Sequence, residues 1–186
     1  MLKILARLIF FVSGWRVAAP RSFYDIRRSV MVAAPHTSNW DIVYTLAVFN
    51  LLDLPVKFTI KKEWMRFPFG LILRPLGAIP IDREYRNGKK VSTVQSMIEL
   101  FEKYEDLIVL VTPEGTRQYA PEWKTGFYRV AEGAQVPIAL GFLDYRQKRA
   151  GVGPVLYPTG DIEADISTMK DFYRTITARR PEWGIR

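Results

Sequence analysis

LIVLVTPEGTR, residues 107–117, joins two kinds of sequence within one short stretch. Leu107 to Val111 is an unbroken apolar run rich in β-branched residues, the pattern of a strand buried on both faces. Pro113 stops it, and Glu114, Gly115, Thr116 and Arg117 follow at once. A strand buried on both faces needs helices above and below it, so the rest of the chain should alternate strands with helices.

It does so in both directions. Upstream, SVMVAAP (29–35) reads as a short buried strand, and VKFTIK (56–61) and AIPID (78–82) as two more. Between the first two lies an apolar helix, with Thr37, Ser38 or Asn39 as its N-cap, running to about Asp53 before Pro55. The segment 62–77 is helix-like and aromatic, interrupted by Pro68 and Gly70. From Gly88 to Tyr104, Val91, Val94, Ile98 and Phe101 recur at helical spacing, with Glu99 and Lys103 an i,i+4 pair outside. Downstream, VPIALGFLDY (136–145) and GPVLYPTG (153–160) are strand-like, and Ile162 to Arg179 is a closing helix. The expected fold is α/β: one domain, residues 21–186, with a central mostly parallel or mixed sheet flanked by helices, preceded by an N-terminal helix within residues 1–20.

That helix, MLKILARLIFFVSGWRV, is too short to cross a bilayer, which takes roughly 20 apolar residues. Lys3 and Arg7 fall on one side of a helical wheel; Leu2, Leu5, Leu8, Ile9, Val12 and Trp15 spread over the opposite face. The pattern fits a helix in the membrane interface with its cations at the headgroups, and it fits equally a helix packed on the core. A signal peptide is disfavoured, because Pro20 would begin the mature chain and Arg16 would sit beside the cleavage site.

Composition narrows the chemistry. With 186 residues, 48% hydrophobic and 25% charged, the chain is globular and has a real core. A net charge of +8 favours anionic partners. The basic residues are scattered and no recognition motif accompanies them, so nucleic acid is not expected. Without cysteine there is no thiolate nucleophile, disulfide or thiolate metal site, and one histidine makes a zinc site improbable.

The single histidine, His36, lies in a strand-to-helix turn five positions before Asp41. In that arrangement the carboxylate can hold one ring nitrogen while the other acts as a base. It is the outer part of a catalytic triad without a nucleophile, suited to a substrate that brings its own hydroxyl. Spacing alone is equally compatible with a capping or packed histidine. Two more polar clusters, at Asp82-Arg83 and at Glu114 to Arg117, also follow strands, and strand ends are where α/β sheets gather ligands. Arg83 and Arg117 offer forked donors suited to phosphate.

These segments together resemble a known family. HTSNWD (36–41) matches the H-x4-D motif of the glycerophospholipid acyltransferase superfamily, and PEGTR (113–117) matches its third block. GAIPIDR (77–83) is similar to its second block and VPIALGF (136–142) to its fourth, in the same order and spacing. The resemblance implies acyl transfer from acyl-CoA or acyl carrier protein to the hydroxyl of a lyso-lipid, first of all lysophosphatidic acid, at the cytoplasmic face of the inner membrane. It implies His36 as general base, Asp41 as its orienting partner, Arg83 at the acceptor phosphate, and Glu114, Gly115, Thr116 and Arg117 around the acceptor. Ser38, Lys124 and Gly126 are further candidates, the last two because WKTGFY (123–128) is similar to a recurring family segment. No metal and no cofactor beyond the acyl co-substrate are implied.

Two features depart from the family pattern: Pro35 before the histidine, and the divergent segment after the fourth block. They leave room for a lyso-aminolipid or another hydroxylated acceptor. Backbone amides at the start of the helix after His36 are candidates for the oxyanion site. Trp64, Phe67, Phe69, Leu71, Ile72 and Leu73 are candidates for an acyl tunnel, a bilayer contact or plain core packing. A basic, aromatic-rich module that only binds anionic lipid is the alternative from another class, and the intact His36 and Asp41 weigh against it.

Overall fold

The computed structural model describes all residues except 1, 21, 22, 24, 62–64, 68, 69, 72, 73, 76, 82–84, 87, 88 and 91. Its central sheet has seven strands: β1 (Arg16–Ala18), β2 (Arg28–Ala33), β3 (Val56–Lys61), β4 (Ala78–Ile81), β7 (Leu107–Val111), β8 (Ile138–Asp144) and β9 (Arg149–Leu156). Between β4 and β7, β5 (Tyr85–Arg86) and β6 (Lys89–Lys90) form a separate two-stranded ribbon. The strand order is β1-β9-β8-β2-β7-β3-β4. The five strands from β8 to β4 are mutually parallel, and β9 runs antiparallel to β8, making the sheet mixed.

The apolar runs seen in the sequence are buried on both faces as expected. Val30 and Val32 of β2, Leu107 and Val109 of β7, and Ile138 and Leu140 of β8 face one core. Met31, Ile108 and Ala139, the residues between them, face the other. Helices α3 (Thr93–Lys103), α4 (Gly126–Gly133) and α5 (Ile162–Arg174) supply Phe101, Phe127, Tyr128, Met169 and Tyr173 to the first core. Helices α1 (Leu2–Ser13) and α2 (Trp40–Leu52) supply Ala6, Phe10, Ala47, Val48, Phe49 and Leu52 to the second. Burying a large aliphatic or aromatic side chain stabilises the fold by roughly 1.5–3 kcal/mol, so these two layers carry most of the drive to fold.

Several elements differ from expectation in instructive ways. The N-terminal helix ends at Ser13, and Arg16–Ala18 forms the edge strand β1, parallel to β9. Three residues give no readable periodicity, which is why this strand was not expected. Its fit depends on Gly151, where a Cβ would lie 1.6 Å from the Ala18 carbonyl oxygen. The helix expected from Gly88 starts only at Thr93, after Ser92, because Lys89–Lys90 is extended. The closing helix stops at Arg174 rather than Arg179, so residues 175–186 are free to turn back over the sheet.

Helix α1 buries one arc and leaves the other exposed. Ala6 and Phe10 are buried against α2, while Ile4, Leu8, Phe11 and Val12 stay exposed, Phe11 at 85%. Trp40, Ile42 and Val43 of α2 are exposed as well, and so are Phe67 and Leu71. Among the described residues no helix is long and apolar enough to cross a membrane.

Candidate active site

Three neighbouring strands, β7, β2 and β8, end side by side and each passes directly into a functional segment. β2 leads through a cis Ala34–Pro35 bond to His36. β7 leads to Glu114, and β8 to Tyr145. Because all three strands are parallel, their carboxyl ends lie together, and residues 78 and 104 positions apart in sequence meet there.

The turn after β2 wraps around one carboxylate. Asp41, in the first turn of α2 and only 4% exposed, accepts at Oδ2 from His36 Nδ1 (3.0 Å), Thr37 N–H (2.9 Å) and Ser38 N–H (2.9 Å). At Oδ1 it accepts from the Tyr145 hydroxyl at 2.7 Å. Burial by itself would raise the Asp41 carboxyl, but the donors His36, Tyr145 and Ser38 outweigh it and hold the group below the usual carboxylate range. An ionised carboxylate only accepts, so Nδ1 carries a proton, and in the neutral ring Nε2 is the nitrogen with the lone pair. Nε2 has no partner among the described residues, and the imidazole is 19% exposed.

Glu114 is the second buried carboxyl of the site. Its Oε2 accepts from the His36 backbone N–H at 2.9 Å, tying the end of β7 to the end of β2. Burial pushes its pKa up to about 7, with the His36 N–H acting in the opposite direction and the nearby Asp41 charge adding to the rise. Gly115 has φ +65°, and a Cβ there would meet the Lys124 side chain at 2.6 Å, so Lys124 lies directly over this glycine. Lys124 N–H also donates to the Pro113 carbonyl, and Gly126 opens α4. The Thr116 hydroxyl accepts from Gln118 N–H, and Arg117 is exposed with no ion-pair partner among the described residues.

The expected oxyanion amides are otherwise engaged. The N–H groups of His36, Thr37 and Ser38 go to Glu114 and Asp41, and Trp40 N–H goes to Ser38 Oγ at 3.2 Å. Asp41 and Ile42 N–H bond Ser38 and Asn39 carbonyls. This leaves Asn39 N–H and the Ser38 hydroxyl proton as donors beside His36. Asn39 occupies the cap position of α2 without a side-chain capping bond.

Arg83 lies outside the described residues, as do Trp64, Phe69, Ile72 and Leu73. A small cavity of about 30 Å³ opens below His36, lined by Pro35, Val48, Phe49, Gly141 and Leu143 among others.

Sequence reasoning missed Tyr145. Its hydroxyl bond to Asp41, and its contacts with Trp15 (centroids 4.9 Å apart) and Tyr44 (6.0 Å), join β8 to the N-terminal segment and α2. Desolvation and the neighbouring Asp41 hold its hydroxyl far above the usual phenol range, so it stays a donor. No local spacing could signal a partner more than a hundred residues away.

Known proteins share the family and the fold of this chain. A family model described as Acyltransferase matches residues 16–139, two thirds of the chain, including both strand-end motifs. The 1-acyl-sn-glycerophosphate (LPA) acyltransferase PlsC from Thermotoga maritima has a similar crystal structure, with a TM-score of 0.62 at 16% identity, over 96% of this chain and 79% of that one. No curated protein matches by sequence. With His36, Asp41 and Glu114 gathered at the sheet's carboxyl end and the family model spanning the residues that carry them, the chain belongs to the acyltransferase family.

Proposed function

We propose that this protein moves a fatty acyl group from a thioester, acyl-CoA or acyl carrier protein, to the hydroxyl of a lyso-lipid, lysophosphatidic acid before others. The observation that carries the reading is the hydrogen-bonded series Tyr145–Asp41–His36, which leaves Nε2 of the chain's single histidine without a partner among the described residues. Nε2 takes the proton of the acceptor hydroxyl as its oxygen attacks the thioester carbonyl. The tetrahedral intermediate collapses with cleavage of the C–S bond, and the imidazolium returns the proton to the leaving thiolate. The acyl carbon passes directly to the acceptor, so no covalent enzyme intermediate is formed. Asn39 N–H and the Ser38 hydroxyl, neither of which donates to another described residue, would stabilise the oxyanion. Glu114, Gly115, Thr116, Arg117 and, by its place in the second motif, Arg83 bind the acceptor.

The reaction takes place at a membrane surface, on the cytoplasmic side of the inner membrane. Support comes from the outward row Ile4, Leu8, Phe11 and Val12 on α1, joined by Trp40, Ile42 and Val43 near the site. An apolar surface of this extent on a basic protein suits contact with an anionic bilayer, from which both lipid substrates would arrive.

The test is transfer of labelled palmitate from palmitoyl-CoA and from palmitoyl carrier protein to lysophosphatidic acid, glycerol 3-phosphate and a lyso-ornithine lipid, with His36→Ala as control. Labelling of lysophosphatidic acid by the wild type and none by the variant is the expected result. Labelling of the ornithine lipid alone would replace the acceptor. Absence of transfer from either donor to any acceptor would leave a lipid-binding module in place of the enzyme.

A further inference from the structure

After α5 ends, residues 175–186 return across the carboxyl end of the sheet, beside the dyad. Two backbone ties hold them. Tyr145 N–H donates to the Thr177 carbonyl at 2.9 Å, and Arg180 N–H donates to Thr37 Oγ1 at 3.2 Å. Tyr145 and Thr37 are both donors to Asp41, so the returning segment is fastened to the same turn that holds the carboxylate. Ala178, between the ties, is buried.

Arg179 is thereby set at the rim of the site. Its guanidinium carbon is 5.7 Å from the centre of the Trp40 ring and 5.8 Å from that of Tyr145. Trp40 immediately precedes Asp41, and Tyr145 bonds to it, so the cation is framed by the two aromatic neighbours of the catalytic carboxylate. Its charge is felt at the Tyr145 hydroxyl.

This cation has no carboxylate partner among the described residues. Among the described residues Asp41 already accepts from four donors, and Glu114 accepts from His36 N–H. The guanidinium also reaches the Tyr145 hydroxyl with a hydrogen bond, and the other N–H groups of its fork suit a bidentate oxyanion. Arg179 lies outside the residues matched by the family model.

We propose that Arg179 is a binding residue for a phosphate group of the substrate docked at His36, and that residues 175–186 serve to hold it there. The proposal rests on the acyltransferase reading above. Two substrates bring phosphate: the lyso-lipid acceptor and the coenzyme A donor. The chemistry recognised is the same, and the experiment separates the sources.

Binding is measured by calorimetry in a His36→Ala background, where no turnover consumes the ligands. One pair of probes is hexanoyl lysophosphatidic acid and monohexanoylglycerol; the other is coenzyme A and pantetheine. Adding Arg179→Gln is expected to weaken one phosphate-bearing probe roughly tenfold or more, with its phosphate-free counterpart within about twofold. Loss on the lysophosphatidic acid assigns Arg179 to the acceptor; loss on coenzyme A assigns it to the donor. Arg179→Lys, which keeps the charge without the fork, is expected to recover part of the affinity, and it serves if the glutamine variant fails to fold. Equal loss on both members of each pair, or no loss on any, overturns the proposal. So does failure of both phosphate probes to bind, and wild-type palmitate transfer run in parallel shows whether the acyltransferase reading has fallen with it.

Discussion

At the scale of single residues, the site turns on how two buried carboxyls are partnered. Asp41 is held ionised by His36, Thr37, Ser38 and Tyr145. Tyr145→Phe removes the only donor to Oδ1 among the described residues, and a hydrogen bond to a charged group contributes roughly 1.5–3 kcal/mol. We expect turnover to fall on the order of tenfold while the Michaelis constants for both substrates barely move; an unchanged turnover number would make the contact incidental. The lowered Asp41 pKa also adds stability, present above about pH 4, the unfolded value, and lost as pH falls through the lower folded value. Asp41→Asn should flatten that acid limb in thermal unfolding. Glu114 works in the opposite sense. Its folded pKa of about 7 exceeds the unfolded value, so ionising it costs stability progressively between about pH 4.5 and 7 and fully above. Glu114→Gln keeps an acceptor for His36 N–H, and it should raise the melting temperature at pH 8 but leave it nearly unchanged at pH 4.5. A difference independent of pH would contradict this. His36, Asp41 and Glu114 were legible because the motifs around them are local. Tyr145 and Arg179 were not, because each reaches the dyad only through strand order and a returning segment.

Among the elements, α1 offers the sharpest contrast, because adjacent side chains have opposite roles. Phe10 is 5% exposed, packed beside Trp15 and Tyr44, whereas Phe11 is 85% exposed. Phe10→Ala should destabilise the fold by about 3–5 kcal/mol, as large-to-small core changes do. Phe11→Ser should leave the melting temperature unchanged and reduce sedimentation with anionic liposomes. If Phe11→Ser sediments like wild type, the outward face of α1 is not the membrane contact. Removing the whole helix would test nothing cleanly, since Ala6 and Phe10 belong to the core. The amphipathic character of α1 was readable from its wheel, but which arc turns inward was not. The buried arc is centred on Ala6 and Phe10, where the small alanine lets α1 approach α2, and that choice depends on the partner surface. The long strands were readable for a simpler reason: a strand buried on both faces needs no knowledge of its neighbours.

For the molecule as a whole, the order of the strands decides what the sequence could not. β2 sits between β7 and β8, so the three segments that build the site converge without any long loop to bring them together. The net charge of +8 acts at this scale too. Liposome binding should weaken markedly between about 0.05 and 0.5 M salt as the Debye length contracts, and binding insensitive to salt would assign the attachment to apolar contact alone. The returning segment has one more consequence, in the order of biosynthesis. Thr177 and Arg180 fasten Tyr145 and Thr37, yet they leave the ribosome after every strand and after both motifs. Residues 175–186 are thus made later than the strands and motifs they fasten, and a chain interrupted before Thr177 is expected to carry the His36–Asp41 pair without either tie on Tyr145 and Thr37.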